Sequence, residues 1–121
     1  MKTFFPGNKT ILIADDDENL RSFVKAVLEM AGCRVIEACN GEDAVDKFIL
    51  NSSRIDLLVL DVMMPRKNGK DAYEEILRLR PGVKAIFISG FHHDSLSMPE
   101  EFIPKPFTSR TLLTHVDGLF N

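Results

Sequence analysis

The chain has 121 residues, 45% hydrophobic and 27% charged, with a formal net charge of -3; that length makes one domain able to fold alone, and that composition excludes disorder and fibre. The acidic balance excludes a binder of phosphate backbones, which needs a basic stripe, so no direct nucleic-acid contact is expected. No apolar run approaches the ~20 residues that span a bilayer, and Phe4-Phe5 followed by Pro6-Gly7 is no signal-peptide core, so the expectation is a cytoplasmic protein with no membrane contact through this chain.

Residues 1–9 end in Pro6-Gly7-Asn8-Lys9 and read as an amino-terminal extension or linker to the domain at 10–121. Thr10 to Ala14 is a short apolar run, a strand, that stops at Asp15-Asp16-Asp17. Leu20, Phe23, Val24, Val27, Leu28 and Ala31 repeat as the stripe of an amphipathic helix, which Gly32 ends as a C′ residue. Cys33 to Ala38 is the next strand. Cys33 and Cys39 then share a face roughly 20 Å apart, beyond the reach of a disulfide, and are expected as small buried hydrophobes. Asn40-Gly41 turns into a second helix with Ala44, Val45, Phe48 and Ile49 inward, closed by Asn51-Ser52-Ser53.

Leu57 to Leu60 is an unbroken apolar run that meets Asp61. A run too short for a helix and without polar alternation suits a strand buried on both faces of a parallel sheet. Asp61 then sits at a strand's carboxyl end, where open α/β sheets bind ligands. The loop Met64 to Gly69 leads to a helix with the stripe Ala72, Tyr73, Ile76 and Leu77, ended by Arg80-Pro81-Gly82. Val83 to Ile88 is a strand that stops at Ser89-Gly90, and the text from Gly90 to Glu101 is too poor in helix formers for more than a loop or a single turn. Phe102-Ile103-Pro104 reads as an edge strand, since Pro104 has no N–H to donate, and runs into Lys105-Pro106. A last helix is capped by Thr108 and buried through Leu112, Leu113, Val116, Leu119 and Phe120. The order βαβαβαβ, an irregular link, then βα argues for a parallel sheet with helices on both faces and right-handed crossovers.

A parallel sheet brings all its carboxyl ends to one edge, which here collects Asp15, Asp16, Asp61, Ser89 and Lys105. Three carboxylates raise one another's pKa unless a counter-charge joins them, and an oxygen-only set shared with water and a phosphoryl group suits Mg²⁺. His92-His93 and His115 show no metal-ligand spacing with a cysteine, so zinc has little support. With Mg²⁺ present, Asp61 attacks phosphorus while Lys105 neutralises oxygens and Ser89 donates a hydrogen bond.

Four blocks carry a family resemblance: Ile11-Leu12-Ile13-Ala14-Asp15-Asp16-Asp17; Leu60-Asp61-Val62-Met63-Met64-Pro65 with Gly69; Ile88-Ser89-Gly90; and Phe102-Ile103-Pro104-Lys105-Pro106-Phe107. Over residues 10 to 120 the chain resembles a receiver domain of the two-component response regulators. The resemblance implies the flavodoxin-like (βα)5 fold, a doubly wound parallel five-stranded sheet of strand order 2-1-3-4-5. It implies Asp61 as phosphoacceptor from a phosphohistidine, with a histidine kinase or histidine phosphotransfer domain as partner. By the same resemblance Asp16, Asp15, Asp61 and the Met63 backbone carbonyl hold Mg²⁺. Ser89 and Lys105 assist the transfer, Ser89 and Phe102 form the switch, and the peptide before Pro106 is cis. Such a domain is not an enzyme in the ordinary sense, although it assists its own phosphorylation and slow dephosphorylation.

The chain departs from the pattern in two places. The interval from Ser89 to Lys105 is short, so the fourth helix is expected to be shortened or missing and the dimer built on it absent, leaving a monomer or weak dimer. This shortening, with the Phe-Ile-x-Lys-Pro-Phe block, is most similar to the carboxyl-terminal receivers of hybrid histidine kinases. Met63 and Phe91, two positions after Asp61 and Ser89, are too apolar to orient water, so slow hydrolysis is expected. Other readings fare worse. A haloacid-dehalogenase-like phosphatase needs an Asp where Met63 stands, and the acids after the first strand would repel an FMN phosphate. A phosphorylation-independent interaction module remains as the alternative.

Overall fold

The computed structural model describes residues 9–90 and 101–120. Five strands alternate with helices: β1 (Thr10–Ala14), α1 (Glu18–Met30), β2 (Arg34–Ala38), α2 (Gly41–Asn51), β3 (Leu57–Asp61), α3 (Gly69–Leu79), β4 (Lys84–Ser89), β5 (Glu101–Pro104) and α4 (Ser109–Phe120). The strands form one all-parallel sheet in the order β2-β1-β3-β4-β5. This is the flavodoxin-like architecture and strand order that the family resemblance implies, on the parallel sheet that the alternation of elements predicts. Four helices lie among the described residues; the segment 91–100, which holds Phe91 and for which a shortened or missing helix is expected, lies outside them, as do residues 1–8 of the lead.

Strand periodicity divides the core in two. Leu12, Ala14, Leu58, Leu60, Ala85 and Phe87 face Ala44, Val45 and Phe48 of α2 and Ala72, Tyr73 and Ile76 of α3. The intervening Ile11, Ile13, Leu57, Val59, Ile86, Ile88 and Ile103 face Val24 and Leu28 of α1 and Leu112 and Val116 of α4. Because β1, β3 and β4 are covered on both faces, their sequences carry no polar alternation.

Helix ends follow side-chain chemistry. Asp17 caps α1 by accepting from the N–H groups of Asn19 and Leu20. Asn40 caps α2 through the Asp43 N–H, and Asn68 caps α3 through the Asp71 N–H. Thr108 Oγ1 accepts from the Thr111 N–H at 3.1 Å, as expected of the cap of the last helix. Gly32 has φ +99°, the left-handed turn of a C′ position.

Three expectations about burial fail. Phe23 is 40% exposed and Ile49 56% exposed, although both continue an apolar stripe. Each lies at the flank of its stripe, where the helix surface turns away from a sheet only five strands wide. Cys33 is buried, whereas Cys39, just past the end of β2, is exposed; both are free thiols.

The Tyr73 hydroxyl donates to the Val83 carbonyl at 2.8 Å inside the α2/α3 layer, and its ring stands edge-on to Phe87 at 5.6 Å. Tyr73→Phe keeps the ring but leaves a buried carbonyl short of a donor. It should lower the unfolding free energy by about 1–2 kcal/mol in urea titration, with the denaturant slope unchanged.

Candidate functional site

Each acid reaches the sheet's carboxyl edge by a separate route. Asp15 follows β1 directly and its N–H donates to the Ala38 carbonyl at 3.2 Å, which continues the β1/β2 ladder past the last strand residue. Asp61 ends β3 opposite Ile88, and the next N–H, that of Val62, donates to the Ile88 carbonyl at 2.9 Å. Asp15 and Asp61 are 5% and 4% exposed, while Asp16 is open to solvent. One carboxylate oxygen from each of Asp15, Asp16 and Asp61 lies within 4.8 Å of the others. The third acid of the triplet, Asp17, is spent on the α1 cap and does not join them.

The cation comes from the edge strand. The Lys105 N–H donates to the Ser89 carbonyl at 2.8 Å, extending the β4/β5 pairing by one residue. Its ammonium then stands 3.1 Å from Asp61 Oδ2 and 3.9 Å from Asp15 Oδ2. The other Asp61 oxygen, Oδ1, accepts the Met63 N–H at 3.3 Å. The peptide between Lys105 and Pro106 is cis.

Ser89 ends β4 and is 1% exposed. Met63 lies in the loop after Asp61 with its side chain 58% exposed, so its place beside Asp61 is made by backbone. Phe102 lies farther back on β5, in register with Phe87 and half-buried against the α2/α3 core. The five edge residues anticipated from strand ends therefore do share one edge. Arg21 was missed: its guanidinium donates to the Asp15 backbone carbonyl at 2.8 Å and pairs with Glu37 at 3.1 Å, bracing the turn that presents the acids. A lone Arg in the first turns of an amphipathic helix gives no signal of such a long-range contact.

Burial pushes the Asp15 carboxyl up from 3.8 to about 6, and the Asp61 charge adds to this, against the Asp17 N–H and Lys105, which pull it down. Like charges within 4.8 Å of one another repel by roughly 3–4 kcal/mol or more at an effective dielectric of about 20. An edge with three acids and one ammonium has room for further positive charge, and its oxygen-only donors suit a hard divalent cation rather than zinc.

A sequence profile of the response regulator receiver domain matches residues 11–117. The chain belongs to the receiver domain family. This receiver is 40% identical over 114 residues to the transcriptional regulatory protein CpxR of Escherichia coli K12, an alignment that covers 90% of the chain but 48% of CpxR. The receiver thus spans about half the length of that relative. Its structure superposes on the receiver domain of the hybrid histidine kinase CckA with a TM-score of 0.83 at 30% identity, covering 93% of this chain and 99% of that one. A CheY from Borrelia burgdorferi, solved with CheX, BeF3 and Mg²⁺, matches with a TM-score of 0.85 at 27% identity over 93% of this chain and 90% of that one.

Because the folded-state pKa of Asp15 lies above its ordinary value, its contribution is favourable below about pH 4 and is lost as pH rises through about 6. Asp15→Asn keeps an acceptor for the Asp17 N–H and removes the buried charge. In metal-free buffer at pH 7 it should raise the unfolding free energy by on the order of 1–2 kcal/mol. It should also flatten the decline between pH 4 and 6, as read by urea titration.

Proposed function

We propose that this receiver accepts a phosphoryl group on Asp61 from the phosphohistidine of a histidine kinase or histidine phosphotransfer domain, with Mg²⁺ bound at the acidic edge. The observation that carries this is the convergence of Lys105 on Asp61 at 3.1 Å beside two further carboxylates, all delivered by different strand ends. The Borrelia CheY, solved with BeF3 and Mg²⁺, supports the same assignment by likeness.

In this reading an Asp61 carboxylate oxygen attacks phosphorus, an O–P bond forms, the P–N bond to imidazole breaks, and the departing imidazole takes up a proton. Asp15, Asp16, Asp61 and the Met63 carbonyl would hold Mg²⁺, which when bound would supply positive charge at the phosphoryl oxygens and relieve the repulsion among the acids. Lys105 and the Met63 N–H hold the two oxygens of the Asp61 carboxylate before reaction, so the nucleophile is oriented without substrate. As negative charge passes to the phosphoryl group, the Lys105 ammonium follows it and the Ser89 hydroxyl donates to a phosphoryl oxygen. Ser89 ends β4 and Phe87 lies in register with Phe102 on the same strand pair, so a movement of Ser89 is passed along β4/β5 to the Phe102 ring. The signal is this conformational change, and the domain assists its own phosphorylation and slow dephosphorylation without being an enzyme in the ordinary sense.

Incubation with phosphoramidate and Mg²⁺ should add one phosphoryl group by intact mass, and chelation or Asp61→Asn should abolish the gain. Lys105→Ala should slow uptake by roughly ten- to a hundredfold through loss of transition-state charge stabilisation. No gain in the native chain would favour a phosphorylation-independent interaction module. With Met63 beside the acceptor, the phosphorylated form should persist for minutes or longer in Mg²⁺ buffer; decay within seconds would contradict the shielding.

A further inference from the structure

The loop at residues 62–68 joins Asp61 to α3 and carries Met63. Its first residue is held by the Val62 N–H bond to the Ile88 carbonyl and by the Gly69 N–H bond to the Val62 carbonyl, and two close backbone approaches set the rest. A Cβ on Gly69 would stand 2.2 Å from the Asp61 carbonyl oxygen, and a Cβ on Gly41 would stand 1.9 Å from the Lys67 carbonyl oxygen and 2.6 Å from its carbon. In each case the glycine hydrogen that takes the Cβ direction points at a carbonyl oxygen, a Cα–H···O contact. The Gly69 contact closes the loop on its own stem. Gly41 is different, because it begins α2 and reaches the loop's apex from another part of the chain.

Other groups hold the same apex. Arg66 Nη1 pairs with Glu42 Oε1 at 3.1 Å, and Arg66 itself adopts φ 70°, a left-handed conformation that a side chain takes only when its surroundings impose it. The Lys67 N–H donates to the Pro65 carbonyl at 2.7 Å, and its ammonium pairs with Glu75 on α3. The amino end of α2 is also the positive end of that helix, a favourable seat for a carbonyl oxygen.

We propose that Gly41 is a positioning residue for the phosphoacceptor site: the amino end of α2 sets the height of the 62–68 loop and so the place of the Met63 backbone beside Asp61. The inference rests on the reading of that edge as a Mg²⁺-dependent phosphoacceptor. Magnitude supports it. Moving a Cβ from 1.9 Å to the 3.4 Å of ordinary contact requires a backbone displacement of over an ångström, whereas a functional constellation tolerates about 0.5 Å. Gly41 touches no reacting atom; it acts through Lys67 and the loop.

The test compares Mg²⁺ affinity, by calorimetry, with folding stability in the full chain. Gly41→Ala should retain its circular dichroism yet bind Mg²⁺ at least tenfold more weakly and gain the phosphoryl group from phosphoramidate more slowly. Ile76→Val, a core truncation on α3, should lower the urea midpoint and leave Mg²⁺ affinity unchanged. A Gly41→Ala protein that binds Mg²⁺ within threefold of the native chain overturns the inference while leaving the phosphoacceptor reading intact. A native chain that neither binds Mg²⁺ nor gains the phosphoryl group overturns both. If Gly41→Ala does not fold, Glu42→Ala, which frees Arg66 without adding an atom, should weaken Mg²⁺ binding two- to threefold at low ionic strength; unchanged affinity there overturns the inference as well.

Discussion

The arrangement depends on one electrostatic constraint: among the described residues, two buried carboxylates and one exposed carboxylate share a sheet edge with a single ammonium, Lys105. Burial makes the charged form of Asp15 costly, and its raised pKa records that cost. An all-parallel sheet produces the crowding because every strand points its carboxyl end the same way. The same topology supplies part of the remedy, since β5 at the sheet's edge delivers Lys105 from the register of its pairing with β4. The negative charge left over beside that one ammonium favours a further positive charge at the edge.

The site is precise where it is backbone-built. Asp15 and Lys105 each stand one residue past a strand, where a ladder hydrogen bond continues, and Asp61 ends β3 with the ladder carried on by the Val62 N–H, so their Cα positions inherit the rigidity of the sheet. The two Asp61 oxygens have different partners, the Lys105 ammonium and the Met63 N–H, which fixes the carboxylate's orientation rather than only its location. Beyond Val62 the loop to residue 68 lacks that ladder. Its placement is taken over by close backbone approaches at Gly41 and Gly69 and by the flanking ion pairs of Arg66 and Lys67.

Much of this was legible in order along the chain. Uninterrupted apolar runs at 11–14 and 57–60 identified strands buried on both faces, and the acids that stop those runs marked the edge where Asp15, Asp16, Asp61 and Lys105 meet. The side-chain cap at Thr108 was equally local, because its oxygen meets an N–H three residues ahead; Asp17 was legible only as an acid of the triplet and Asn40 and Asn68 only as turn and loop residues, although each caps a helix in the same way. Burial at the flanks of the helices was not legible. Phe23 and Ile49 satisfy the 3.6-residue period, yet the sheet is too narrow to cover them, and the sequence of one helix contains no measure of the sheet's width. Cys39 misled for a related reason, since alternation along β2 continues in the text after the strand has ended.

The sequence by itself determined the element types, the parallel topology and the identity of the edge residues, because each rests on periodicity or on the residue that ends a run. Tertiary structure alone decided how those residues meet. The 3.1 Å approach of Lys105 to Asp61 spans 44 positions of chain, and it exists because β4 separates β3 from β5 in a sheet of set register. The bracing of Asp15 by Arg21 and the seating of Lys67 on Gly41 are of the same kind. Such contacts join elements whose spacing is set by packed layers of side chains, and no local pattern encodes that distance.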